Sequence, residues 1–185
     1  MLARKVGFSL LLLSLAGFLS YAGVGTRYKS DSLRGLRGAY VSVQYGGTPH
    51  REAGLTSSQI AAEVSLRLRI AGLNVLTESE WRKAPGRPYL YVNIVETTIP
   101  GQGKADLGQV YTCSLDLMQE TSLTRSPGSA VDACTWSRGA TIVVPPNDLG
   151  QVRVLVGDLA SEFTAAAMAA NRPGGEGTSS RPLEK

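Results

Sequence analysis

Apolar and polar residues alternate along much of this chain. Val41, Val43 and Tyr45 alternate with Ser42 and Gln44, the pattern of a half-buried strand that starts at Gly38 and stops at Gly46-Gly47. Leu90, Val92 and Ile94 form one face of a second strand, with Tyr89 and Tyr91 on the other. A longer strand over residues 109–124 carries Tyr111, Cys113, Leu115 and Leu117 on one face, and Thr112, Ser114 and Asp116 on the other. A last strand is predicted over 133–144, after a turn near Ser126-Pro127-Gly128-Ser129. A short strand continues from Asn74-Val75-Leu76 and places Glu78 and Glu80 on one face beside Trp81.

Two segments switch to helical spacing. Thr56 followed by Gln59 reads as a capping box, opening a helix that Gly72 stops. Ile60, Val64 and Leu68 share its inner face, while Leu66 and Ile70 make a second stripe that takes either a covering loop or a partner. The second helix spans about 149–170, with Asn147 or Asp148 as its cap and one stripe through Val152, Val156, Leu159, Phe163 and Ala170. The order is β-α-β-β-β-β-α. It predicts an α+β two-layer sandwich, with a mostly antiparallel four- to five-stranded sheet and two amphipathic helices on one face.

The first 22 residues stand apart. Arg4 and Lys5 precede an apolar run from Val6 to Leu19, and Ser20-Tyr21-Ala22 offers small residues at −3 and −1 of a cleavage point. That is the layout of a secretory signal peptide. The run is 14 residues long, shorter than the roughly 20 that cross a bilayer. Retention as an anchor is the competing reading. No cysteine precedes Cys113, so the leader offers no acylation site. The expected product starts after Ala22, in the periplasm or outside the cell. The expected layout is 1–22 signal peptide, 23–37 flexible basic arm, 38–171 a single domain and 172–185 a disordered tail.

Export changes the reading of charge. The whole chain carries +4, and without the leader 17 basic and 15 acidic residues remain. Arg27, Lys29, Arg34 and Arg37 against Asp31 concentrate the surplus in the arm. Such an arm is either a solvated linker or a contact for anionic lipid or glycan. Nothing resembles the aromatic-interleaved basic surface of a nucleic-acid binder. Cys113 and Cys134 in an exported chain invite a disulfide. With Thr124 opposite Val131, however, Cys113 faces Ile142 and Cys134 faces Thr121, too far apart to bridge without a bulge. Two buried free thiols are the other reading.

No catalytic set stands out, and a non-enzyme is expected. His50 is the only histidine, so a His-rich metal site or a Ser-His-Asp triad has little to build on. Gly101-Gln102-Gly103-Lys104 lacks the leading glycine and the following Ser or Thr of a phosphate loop. Glu78 and Glu80 beside Trp81 suggest glycan chemistry only weakly against a solvated edge. No metal or cofactor is expected. The better binding candidates are Tyr89, Tyr91 and Trp136, read as an exposed aromatic sheet face for an envelope protein or glycan, with Trp136 depending on strand register.

The stretches Leu55–Gln59 through Gly72–Leu76, then Pro85–Val92, and Cys134-Thr135-Trp136-Ser137 before the last helix, resemble a group of small exported bacterial proteins. In outline the layout is also similar to periplasmic accessory domains such as the lipoprotein LptE and the amino-terminal domain of TolB. The resemblance covers about residues 33–171, brings no assigned activity and carries no site residue. The expectation is an exported interaction module. A carrier of an apolar ligand between sheet and helices is the alternative, and a glycan-acting enzyme a third. An exposed edge strand would let two copies pair.

Overall fold

The computed structural model describes residues 30–46, 55–99, 108–145 and 148–172. The leader, the arm up to residue 29, His50, the Gly101–Lys104 element, Asn147 and residues 173–185 lie outside the described residues. A 3₁₀ turn at Ser30–Leu33 is followed by β1 (Gly38–Gly46), α1 (Ser57–Ile70), β2 (Asn74–Val75), α2 (Glu78–Trp81), β3 (Tyr89–Ile99), β4 (Gly108–Leu123), β5 (Ser126–Val144) and α3 (Gly150–Ala170). The sheet order is β2-β1-β3-β4-β5. β1 is parallel to both its neighbours, and the long β3–β4 and β4–β5 ladders are antiparallel. This is the expected α+β sandwich, with a mixed sheet and two extra short helical turns, at Ser30–Leu33 and Glu78–Trp81.

Local chemistry places the helices. Thr56 Oγ1 accepts from the Gln59 amide at 3.2 Å and Gln59 Oε1 accepts from the Thr56 amide at 3.1 Å, so the capping box forms. Gly72 takes φ +78° and closes α1, with the Leu73 amide donating to Leu68 O at 2.9 Å. The cap expected for α3 does not form. Leu149 is its N-cap with no side-chain bond, and Asp148 instead accepts from the Gln151 amide side chain at 2.6 Å.

Both long helices pack on the same face of the sheet. Ile60, Val64 and Leu68 of α1, and Val152, Val156, Leu159, Phe163 and Ala167 of α3, meet Leu90, Val92, Ile94, Tyr111, Cys113, Leu115 and Leu117. Burying a side chain of this size contributes roughly 1.5–3 kcal/mol. β2 lies tight against β1: a methyl group on Gly38 would sit 2.4 Å from Asn74 O.

Four expectations are corrected. Residues 30–37, assigned to a flexible arm, belong to the domain. Leu33 is fully buried, and Ser32 Oγ donates to Thr135 O at 2.9 Å. Glu78 and Glu80 sit on a helical turn rather than a strand, because Thr77 and Glu80 form their own capping box. The β4–β5 turn is the two-residue Thr124-Arg125, and β5 starts at Ser126 instead of 133. The register slips between Ser122 and Leu123, leaving residues 127–129 out of the ladder, and again between Leu117 and Met118, so Met118 faces Cys134 and Leu117 faces Trp136. Thr135 is the extra residue, a bulge that turns Trp136 inward. Trp136 is therefore core and not exposed: it is 5% accessible and meets Phe163 edge to face at 5.0 Å.

Truncating the two aromatics separates these roles. Trp136→Ala should cost about 3–5 kcal/mol of unfolding free energy. Tyr91→Ala, on the opposite face, should cost about 1 kcal/mol or less. Urea unfolding of the two variants checks both values.

Candidate functional site

The face of the sheet turned away from the helices is polar and aromatic. Parity along the strands puts Tyr40, Ser42 and Gln44 of β1, Tyr89, Tyr91 and Asn93 of β3, and Ser114, Asp116 and Met118 of β4 on this side. Cys134 and Ser137 of β5 complete the rows. Tyr91 stands beside Ser42 and Asp116, and Asn93 beside Gln44 and Ser114.

These side chains hold one another. The Tyr91 hydroxyl donates to Gln44 Oε1. Asp116 accepts from Ser114 Oγ at 3.0 Å through one oxygen, and from Ser137 Oγ through the other. Arg87 pairs with Glu120 at the near end of the face. Burial, then the Asp132 carboxylate and Tyr91, push the Tyr89 phenol above its ordinary value. It stays neutral, able to donate and accept.

α2 adds an aromatic edge that strand reasoning missed. Trp81 stacks on Tyr40 with centroids 5.7 Å apart and meets Tyr89 edge-on at 5.8 Å. Its indole N–H donates to Arg87 O at 2.7 Å, and the Arg82 guanidinium lies 5.5 Å from the ring centre. The signal was present as Thr77-Glu78-Ser79-Glu80, a second capping box. Of the three predicted site residues, Tyr89 and Tyr91 share this face and Trp136 lies on the other.

The carboxylates of α2 are engaged locally. Glu80 accepts from the Thr77 amide at 2.7 Å, which holds its carboxyl below the ordinary range. Glu78 pairs with Arg82 at 2.5 Å. Among the described residues, no three His, Cys, Asp or Glu side chains are grouped to hold a metal ion.

The helix-covered face carries a second set of titratable groups at its far end. Burial, and then Cys113, push the Tyr45 phenol up to about 12. Burial alone takes the Cys113 thiol to about 12. The Tyr111 hydroxyl donates to Gln109 Oε1 at 3.2 Å, and its pKa is raised by burial and by Glu96. All three are neutral near pH 7. The two cysteines are free. Cys113 pairs with Ala140 and points into the core, whereas Cys134 pairs with Met118 and points to the open face. A bridge between opposite faces of one sheet is geometrically excluded.

Two open clefts of about 470 and 510 Å³ share Gly72, Leu73 and Asn74 at the β2 edge. Neither lies between sheet and helices. The layer where an apolar ligand was expected as the alternative is filled by fully buried side chains, Phe163, Leu68, Leu90 and Leu115 among them.

No family model matches the sequence, and no curated protein matches it. Among solved structures, the PelC dodecamer from Paraburkholderia phytofirmans aligns over 76% of this chain and 91% of its own, at 15% identity and TM-score 0.40. A minor lipoprotein from Acinetobacter baumannii aligns over 71% and 91%, at 10% identity and TM-score 0.28. Rare lipoprotein B from Shewanella oneidensis aligns over 71% and 92%, at 8% identity and TM-score 0.27. These are coarse likenesses of outline, and no residue role is transferred from them.

The thiols offer a direct check of the two faces. At pH 8 the native protein should take up one alkyl group, at half-buried Cys134, with Cys113 reacting only after unfolding. Peptide mass mapping reads this. The raised pKa values also set a base limit. Unfolded Cys113 loses its proton near its ordinary 9.0, and folded Cys113 only near 12. Stability is therefore full below about 9 and falls as pH climbs toward about 12, which thermal melts across that window should show.

Proposed function

We propose that this chain is an exported, non-enzymatic module that binds an envelope macromolecule on its uncovered sheet face. The observation that carries the reading is that face itself. Its phenol, indole, amide, hydroxyl and carboxylate groups are fixed by mutual contacts, and among the described residues neither long helix covers them. Aromatic faces flanked by oriented hydrogen-bond partners suit a protein surface or a glycan. Export rests on the leader: basic n-region, 14-residue apolar run and small residues before Gly23. Among the described residues no helix is long and apolar enough to cross a membrane.

The glycan-hydrolase reading is weaker. It relied on Glu78 and Glu80 acting as a pair, and each is engaged within its own helical turn. The apolar-carrier reading finds the sheet–helix layer already filled. No nucleic-acid partner is proposed.

A photoreactive phenylalanine analogue at Tyr91, irradiated in producing cells, should give a discrete adduct with an envelope protein or glycan. The same probe at Arg153, exposed on α3, should not. Asp116→Ala in the Tyr91-labelled chain should cut the adduct roughly tenfold, the scale of one lost charge-assisted hydrogen bond. Equal labelling from both positions would sink the proposal. Adducts between two copies of this chain would replace the foreign partner with self-association.

A further inference from the structure

Three chain segments converge at one end of the helical layer. They are the close of α1 at Ala71, the close of α3 at Asn171, and residues 35–37 that lead into β1. Asn171 fastens the last two: it accepts from the Gly35 amide at 2.7 Å and donates to Leu33 O at 2.9 Å and Ala167 O at 2.7 Å. They enclose the open cleft of about 470 Å³ lined by Leu36, Arg37, Ala71, Leu73, Ala167 and Met168.

Met168 lines this cleft, and exposed apolar side chains continue from it onto the outer stripe of α1. Ile70 is 75% accessible, Met168 53% and Leu66 50%. The loop that would cover the Leu66–Ile70 stripe is not seen among the described residues. Arg37 lines the cleft, Arg69 lines the neighbouring cleft next to Ile70 in sequence, and Arg172 follows Asn171. Arg37, Arg69 and Arg172 are exposed, and none is ion-paired among the described residues. Among the described residues no Asp or Glu lines this cleft, and Glu80, in the neighbouring cleft with Arg69, is bound to the Thr77 amide.

The 3₁₀ turn at Ser30–Leu33 lies at this same end, with Leu33 O docked on Asn171. The ten residues before Ser30 include Arg27 and Lys29, two more cations, and just upstream lies the apolar run Val6–Leu19. Ten residues reach about 35 Å at most. A retained leader would therefore hold this end within about 35 Å of a bilayer.

We infer that this end is a membrane-docking face that takes an anionic phospholipid surface. Exposed apolar side chains near the closes of two helices insert into a soft interface, while arginines at the same end bind headgroup phosphates. A folded protein partner would need a complementary hollow for each projecting side chain. The contact is separate from the open sheet face and does not depend on it.

The test uses protein recovered from exporting cells, floated with vesicles. Vesicles of one part phosphatidylglycerol to two parts phosphatidylethanolamine should bind it, and pure phosphatidylcholine vesicles should not. Binding should fall steeply as salt rises. Arg37→Glu with Arg69→Glu should reduce it roughly tenfold or more. Ile70→Glu with Met168→Glu should do the same. Val154→Glu, an exposed apolar site elsewhere on α3, should not. Circular dichroism and melting curves confirm that the variants stay folded. Equal binding to neutral vesicles, or unchanged binding by both double variants, overturns the inference. So does a dimer in sedimentation that the Ile70/Met168 variant dissociates while vesicle binding is unaltered, since the face would then take a second copy.

Discussion

One constraint organises this molecule: both long helices cover the same face of the sheet. α1 leaves β1 and returns to β2, and α3 follows β5, yet the two meet side by side, where the Arg67 side chain reaches Ser161 Oγ at 3.4 Å. The covered face is then apolar over most of the sheet, and on the opposite face, among the described residues, only the short α2 packs. Burial of Cys113, Tyr45 and Tyr111 follows from the first condition, and so do their raised pKa values. The second produces the rows of hydroxyl, amide and phenol groups on the other side. Those groups avoid desolvation cost by bonding to each other, as Asp116 does with two serines.

Elements defined by local chemistry were legible. Thr56 and Gln59 mark the start of α1 because a capping box is complete within four residues. The α3 stripe was legible because six turns of repeating apolar positions leave only one buried side. β3 and β4 followed from strict alternation, since a strand with one dry face tolerates no shift. Thr77 and Glu80 carried the same signal as Thr56 and Gln59, but a helix of four residues has no periodicity to support it.

Features that depend on pairing were not legible. Where a hairpin turns is decided by the competition between several turn-forming sequences, and Thr124-Arg125 won over Ser126-Pro127-Gly128-Ser129. One bulged residue, Thr135, then decides which of Cys134 and Trp136 faces the core. The consequence reaches the site. An indole assigned to the open face belongs to the core, and Trp81, which lay outside the strand pattern, supplies the indole at that face. The arm shows the same limit. Its composition reads as linker, but a single Leu33 reaching the core is enough to dock residues 30–37.

The two proposed surfaces are compatible because of how the strands run. β1 starts at Gly38 beside Asn74, next to the closes of α1 and α3, and runs away from them. With that end resting on a bilayer, the strands rise from it and the open face stands roughly upright, turned sideways to the membrane. A partner there meets Tyr91, Gln44 and Asp116 without competing with lipid for Ile70 or Met168. The aromatic cluster of Trp81, Tyr40 and Tyr89 sits at the lower edge of this face, where β1 and β3 begin. It is the part of the face nearest the bilayer. Recognition by the upper rows and by the aromatic edge can therefore be separated by mutation, because Trp81 is held by α2 and Arg87 O, whereas Tyr91 is held by β3 and Gln44.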